Sequence, residues 1–249
     1  MLLFIFLLHL IGDYIFQTEK MAEKKEKEVK GLIDHIIVYC LVMVAIPVFF
    51  RNGFLLSFFL VIAHTLIDSI MYMIKKQNKT KESSSSFGLY LLDQILHLFS
   101  ILIIVYFFSD RLNGLEYRKF TEWLISFLKY YGLNSREVIQ ILFLFVMLHK
   151  PSNIFITKFL SGFSFNKTQP KNNSKDIQAG RYIGTLERLI VMVLIYFKEY
   201  TAIAWVLTAK SITRHESITK DEISGEYYLL GTLLSLLIVI VVSYITFNL

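Results

Sequence analysis

Four stretches of this chain, 32–50, 54–74, 87–109 and 227–247, are predominantly apolar for about twenty residues each. A helix rises ~1.5 Å per residue, so ~20 residues cover the ~30 Å hydrocarbon core of a bilayer. In lipid the backbone must satisfy its own hydrogen bonds, which makes each run a helix. With 55% hydrophobic residues, only 3 Pro and a mean hydropathy of +0.53, the 249 residues read as an all-α, polytopic membrane protein. Shorter or interrupted runs at 1–17, 136–160 (broken at Lys150-Pro151) and 180–198 bring the expected count to about seven spans. The first lacks a basic leader and a small-residue cleavage site, so it is expected to be retained. Pro47 should bend the far end of the 32–50 span.

The remaining segments set the domain plan. Residues 18–31 and 75–86 are expected to be charged loops. The stretch 115–131 places Phe120, Trp123, Leu124, Phe127, Leu128 and Tyr131 on one face, as in an amphipathic helix lying at the membrane interface. The apolar piece 201–209 is too short to span alone and reads as re-entrant. Three domains are therefore expected: 1–109, an interfacial linker 110–134, and 135–249. The net charge of +6 is not taken as a sign of nucleic acid. The nine Lys of the first two loops flank apolar spans, and the positive-inside rule puts those loops in the cytoplasm and the N-terminus outside. The location expected is a bacterial inner membrane. The Lys-rich loops are a docking surface for cytoplasmic protein, and an oligomer is left open. Cys40 stands alone, so no intrachain disulfide can form.

Chemistry enters through one repeated spacing. His9 and Asp13 lie four residues apart in the first apolar run, as do His64 and Asp68, and Asp93 and His97 in reversed order. Four residues is about one helical turn, so each pair shares a helix face. The reversal fits a helix of opposite direction and gives all three pairs a common depth. His35, beside Asp34, enters near the aspartate layer, and Gln17 continues the His9–Asp13 stripe. Ionised carboxylates in a membrane cost several kcal/mol unless paired, and three together repel. A divalent metal resolves this. Imidazole and carboxylate suit zinc first, with iron or manganese as alternatives. The alternative is three hydrogen-bonded Asp–His pairs that lock the helices.

The second half has its own polar set. Glu187 and Arg188 fall inside an apolar span, and Lys210 and Arg214 are one turn apart. They read either as a Glu187–basic ion pair or as a clamp for an anionic head group.

The segments HLIGDYIFQTEKMAEKK at 9–25, AHTLIDSI at 63–70 and LYLLDQILHL at 89–98 resemble a bacterial membrane family, the domain of unknown function 3307 family. Residues 180–191, 209–215 and 226–235 are similar to the C-terminal part of its longer members. The resemblance implies that His9, Asp13, His64, Asp68, Asp93, Gln94 and His97 belong to the family pattern, and it implies no activity. A looser likeness in site type is to multi-span hydrolases that hold zinc between helices.

The function expected is a metal-dependent hydrolase acting on an anionic, phosphate-bearing lipid or similar amphiphile at the cytoplasmic leaflet. His9, Asp13, His64, Asp68, Asp93 and His97 would be ligands, and Asp13 or Asp93 the general base. Gln17, His35, Gln94, Glu187, Arg188, Lys210 and Arg214 would contact substrate. The alternatives are a divalent-cation or proton transporter, and a non-catalytic sensor or scaffold.

Overall fold

The computed structural model describes residues 1–77, 84–108, 115–163, 174–219 and 225–248, with backbone only for 84–86, 174–179 and 214–219. Their regular elements are all helices, and the one β-type pairing among them is an isolated bridge between Phe50 and Tyr117. The chain divides into two compact units, Met1–Val146 and Met147–Leu249.

The first unit opens with α1 (Leu2–Leu10), which runs into a π-helical turn at Ile11–Ile15. The wider turn is closed by the Phe16 amide on the Ile11 carbonyl at 3.0 Å. The chain then bends by 84° into α2 (Glu19–Lys27). This corrects the expected 18–31 loop. Thr18 caps the helix, its hydroxyl accepting from the Met21 amide at 3.2 Å, and Glu, Lys, Met and Ala that follow are strong helix formers. Charge alone had made the segment look unstructured. The next helix, α3 (Val29–Met43), packs directly on α2, because a Cβ on Gly31 would stand 2.3 Å from the carbonyl carbon of Lys24.

Pro47 breaks the second apolar run as expected, between α3 and α4 (Ala45–Phe49). Proline has no N–H for the carbonyl four residues back, that of Met43. The Ser57 hydroxyl, on α5 (Phe54–Gln77), donates to that carbonyl at 2.9 Å and leaves it satisfied. Ser57→Ala should cost about 1–3 kcal/mol, the penalty for an orphaned buried acceptor, and lower the thermal midpoint in detergent by a few degrees. An unchanged midpoint would mean that the carbonyl finds another donor.

α5 and α6 (Ser84–Phe107) form an antiparallel pair. Asp68 stands nine residues before the end of α5 and Asp93 nine after the start of α6, which brings them to one level. Below that level Ile5, Leu8, Met43, Ile46, Leu56, Leu60 and Ile101 form a buried apolar core. The opposite faces are apolar and exposed, as on α3, where Ile33, Ile37 and Leu41 face outward while His35, Tyr39 and Met43 face inward. A helix apolar all round is what lipid contact requires.

The amphipathic helix is α7 (Lys119–Tyr130), with Phe120, Trp123, Phe127 and Tyr131 exposed along one side. Thr121 Oγ1 donates to the Phe49 carbonyl at 2.7 Å and Arg118 Nε to that of Pro47 at 2.7 Å, which ties α7 to the end of α4. It belongs to the first unit and is not a separate linker. α8 (Ser135–Leu148) closes that unit.

The second unit contains α9 (Lys150–Leu160), α10 (Ser174–Tyr196), α11 (Tyr200–Thr219) and α12 (Gly225–Asn248). Residues 201–209, read as a short re-entrant piece, are part of the continuous α11. Among the described residues five helical segments are long and apolar enough to cross a membrane: 29–49, 54–77, 87–107, 135–160 and 225–248. The bent pair at 2–27 makes six. The expected seventh, 180–198, is missing from this set because Arg181, Glu187 and Arg188 interrupt it.

Candidate metal centre

The three pairs separated in sequence come together in the first unit. His9, His64, Asp68 and His97 are buried, each 5% exposed or less, and Asp13 is 9% exposed. His35 from α3 joins them as a fully buried member. It had been read as a substrate contact, yet it lies at the centre. Its Nε2 is 3.1 Å from His64 Nε2, 3.4 Å from Asp13 Oδ1 and 3.1 Å from Asp68 Oδ2. His64 Nε2 is in turn 3.4 Å from Asp13 Oδ1 and 3.2 Å from Asp68 Oδ2.

These four atoms share five contacts of 3.1–3.4 Å. Each Nε2 carries at most one proton in the ring plane, so protons can satisfy at most two of the five. Asp13 Oδ1 and Asp68 Oδ2 accept no well-directed hydrogen bond. The donors fall into two overlapping sets of three that could each hold a cation, one of His9, Asp13 and His64 and one of His35, His64 and Asp68. A tetrahedral ion with bonds of ~2.0–2.1 Å to N and O has ligand-to-ligand edges of ~3.3–3.4 Å, and the His35, His64 and Asp68 donor atoms stand 3.1–3.2 Å apart. The donors are two imidazoles and two carboxylates, a set that zinc accepts and that iron or manganese also tolerate.

His97 and Asp93 adjoin this group. His97 Nε2 lies 3.5 Å from Asp68 Oδ1 and 3.5 Å from Asp93 Oδ1. His9 Nε2 is 3.7 Å from Asp13 Oδ2, and its Nδ1 is 3.2 Å from the Tyr39 hydroxyl. Tyr39 also stacks on His64, with ring centroids 3.5 Å apart and planes 2° from parallel. His64 stacks on His97 on its other side, at 4.4 Å. His35 Nδ1 and His64 Nδ1 have no hydrogen-bond partner, so ring stacking, not a second hydrogen bond, orients His64. The π-helical turn lets Tyr39 approach. A Cβ on Gly12, between His9 and Asp13, would stand 2.8 Å from Tyr39 Cδ2. Such turns recur at functional sites.

Two residues here were not anticipated. Tyr39 is one turn from His35 on α3, a spacing that could have revealed it. Lys25 reaches in from α2 and places Nζ 2.8 Å from Asp68 Oδ1. The N-cap at Thr18 signals the helix, but not where it docks. Gln94, by contrast, donates to its neighbour Asp93 Oδ2 at 3.2 Å. Gln17 is partly exposed beyond the π-helical turn.

The candidate substrate contacts of the second half lie in the second unit. Lys210 bonds to Glu187 Oε2 and lies 6.0 Å from the Tyr228 ring centroid. That is the ion-pair alternative raised from sequence. Arg188, 3% exposed, donates from Nε to the Leu148 carbonyl at 2.8 Å and from its terminal nitrogens to Asn153, Thr185 and Ser235. The Arg214 side chain lies outside the described residues.

A family profile described as "Protein of unknown function (DUF3307)" matches residues 1–128. The chain belongs to this family. The match takes in every member of the buried His/Asp group and stops short of α8 to α12. Neither the curated proteins nor the solved structures hold a match to the chain.

Proposed function

We propose that this DUF3307 protein is a membrane metalloprotein that binds a divalent transition-metal ion through Asp13, His35, His64 and Asp68, and that it acts as a hydrolase on an anionic amphiphile. The observation behind the reading is a group of four buried donor atoms that share five contacts of 3.1–3.4 Å and hold too few protons to bond one another. Zinc is the first candidate by donor set, with iron or manganese as alternatives. Such an ion polarises an ester or phosphoryl oxygen and lowers the pKa of water.

The chain's own residues suit that chemistry. Asp93 keeps 15% of its side chain exposed, more than Asp13 or Asp68, so it marks the open edge of the group. Its Oδ1 is without a hydrogen bond and lies 3.5 Å from His97, which fits a general base steadied by an imidazole. Lys20, Lys24 and Lys27 of α2, with Lys76 at the end of α5, line one border among Glu19, Glu23 and Glu26, while Lys25 and Lys75 are paired with Asp68 and Glu26. The positive-inside rule puts this border in the cytoplasm, where it would attract an anionic head group. Arg188 and Lys210 have partners within the second unit, so the head-group role passes to Lys20, Lys24, Lys27 and Lys76.

A sensor or scaffold has an observation of its own: four protein ligands close a coordination shell, as in structural zinc sites. Transport has less support, because the described residues beneath the group form the apolar core of Ile5, Met43, Ile46, Leu60 and Ile101.

The test is metal analysis of protein purified without chelators, followed by turnover of phosphatidic acid and phosphatidylglycerol in mixed micelles. Wild type should carry a stoichiometric ion and hydrolyse one of them. Asp93→Asn should keep the ion and lose at least ~10²-fold in rate, the usual contribution of a general base. Metal without turnover on either lipid favours the sensor reading. No stoichiometric metal removes both and leaves a hydrogen-bonded lock.

A further inference from the structure

Asp68 directs its two oxygens to different partners. Oδ2 belongs to the four-atom group with His35 and His64, while Oδ1 faces His97 and Lys25. On the Oδ1 side, His97 Nε2 lies 3.5 Å from both Asp68 Oδ1 and Asp93 Oδ1. Asp68, Asp93 and His97 offer three ligand atoms within 4.8 Å of one another. His97 is 1% exposed, and neither its Nε2 nor Asp93 Oδ1 makes a hydrogen bond. A buried imidazole nitrogen and a buried carboxylate oxygen, both unbonded, thus point at one spot.

The spot borders a cation already present. Lys25 Nζ is 2.8 Å from Asp68 Oδ1, brought there by the close passage of α2 over Gly31. Charge explains its presence. Three carboxylates, Asp13, Asp68 and Asp93, are balanced by one divalent ion and one ammonium. Two divalent ions together with the ammonium would leave an excess positive charge in a low-dielectric setting, where such charge is costly.

We propose that Asp68 Oδ1, Asp93 Oδ1 and His97 Nε2 form a second divalent-cation subsite, bridged to the first by the Asp68 carboxylate, and that Lys25 closes it. The inference rests on the metal-binding reading above. Three protein ligands leave open positions, as catalytic metal sites do. A bridging carboxylate is how paired metals are held ~3.5–4 Å apart. Lys25 keeps 18% of its side chain exposed, so it can withdraw to water without disturbing the apolar core. With Lys25 in place the group takes one ion and Asp93 is left as a base, and displacement of Lys25 opens a two-ion form in which Asp93 is a ligand.

The experiment uses full-length protein in detergent, stripped and reloaded with Zn²⁺ alone, with bound ion counted by elemental analysis after gel filtration. Wild type and Lys25→Arg should retain one equivalent, since both keep the cation. Lys25→Met and Lys25→Gln should each retain two. Adding Asp93→Asn to Lys25→Met should return the count to one. If wild type binds one and both neutral variants also bind one, the second subsite is refuted while the first stands. If the double variant still binds two, the subsite lies elsewhere and the proposal falls. If wild type and all variants bind none, the metal reading itself has failed. Lys25→Gln keeps the length and a donor group, so a folding defect in Lys25→Met alone does not decide the outcome.

Discussion

Asp68→Ala should empty the centre, reducing bound metal from one equivalent to below the detection limit of elemental analysis. Both oxygens of Asp68 enter the group, with Oδ2 near His35 and His64 and Oδ1 near His97 and Lys25. Removing a residue that merely orients a ligand costs 10–100-fold in metal affinity, and removing a ligand costs more. The substitution also strands Lys25 against a buried cluster of imidazoles with its carboxylate gone. Asp68→Asn separates the two effects. It keeps the shape and one acceptor oxygen but removes the charge, so metal should still fall sharply while the melting temperature changes less than in Asp68→Ala. Metal content equal to wild type in Asp68→Asn would rule out the four-atom site. A large loss of thermal stability in Asp68→Ala, beside a wild type that holds no metal, would instead identify a hydrogen-bonded lock.

Arg188→Ala should be the most destabilising single change in the second unit, by about 2–6 kcal/mol, since it orphans two buried acceptors at about 1–3 kcal/mol each. The reason is local. Pro151 has no N–H for the Met147 carbonyl, and the helix breaks between α8 and α9 at His149. Ser152 Oγ repairs the Met147 carbonyl at 2.7 Å. Arg188 Nε takes the next carbonyl, that of Leu148, at 2.8 Å, and its remaining donors reach Asn153 Oδ1, Thr185 Oγ1 and Ser235 Oγ. Removal orphans the Leu148 carbonyl and Asn153 Oδ1 together. The measurement is a melting curve in detergent beside Arg188→Lys. Lysine keeps the charge but not the planar fork, so it should recover only part of the loss. A wild-type melting curve for Arg188→Ala, with loss of activity, would restore Arg188 as a substrate ligand.

What the chain reveals without its fold is set by short-range geometry. A spacing of four on a helix fixes a shared face, so the pairs at 9/13, 64/68 and 93/97 could be read as inward stripes, and the reversed order of the third implied a reversed helix. Pro47 and Pro151 break their helices wherever those helices pack, because the missing N–H is a property of the residue. Membrane character followed from run length. The structure decided what depends on which helix stands opposite. His35 looked peripheral beside Asp34, yet α3 carries it between Asp13 and Asp68. Lys25 lay in a segment that charge made look like a loop, and only the close packing of α2 on α3 at Gly31 brings its ammonium to Asp68. Arg188 looked like an anion clamp, until the break at His149 supplied carbonyl and amide partners for its guanidinium. Local rules reach about one helical turn along the chain. Side-chain partners across a helix interface are chosen by packing distances that a linear pattern does not contain.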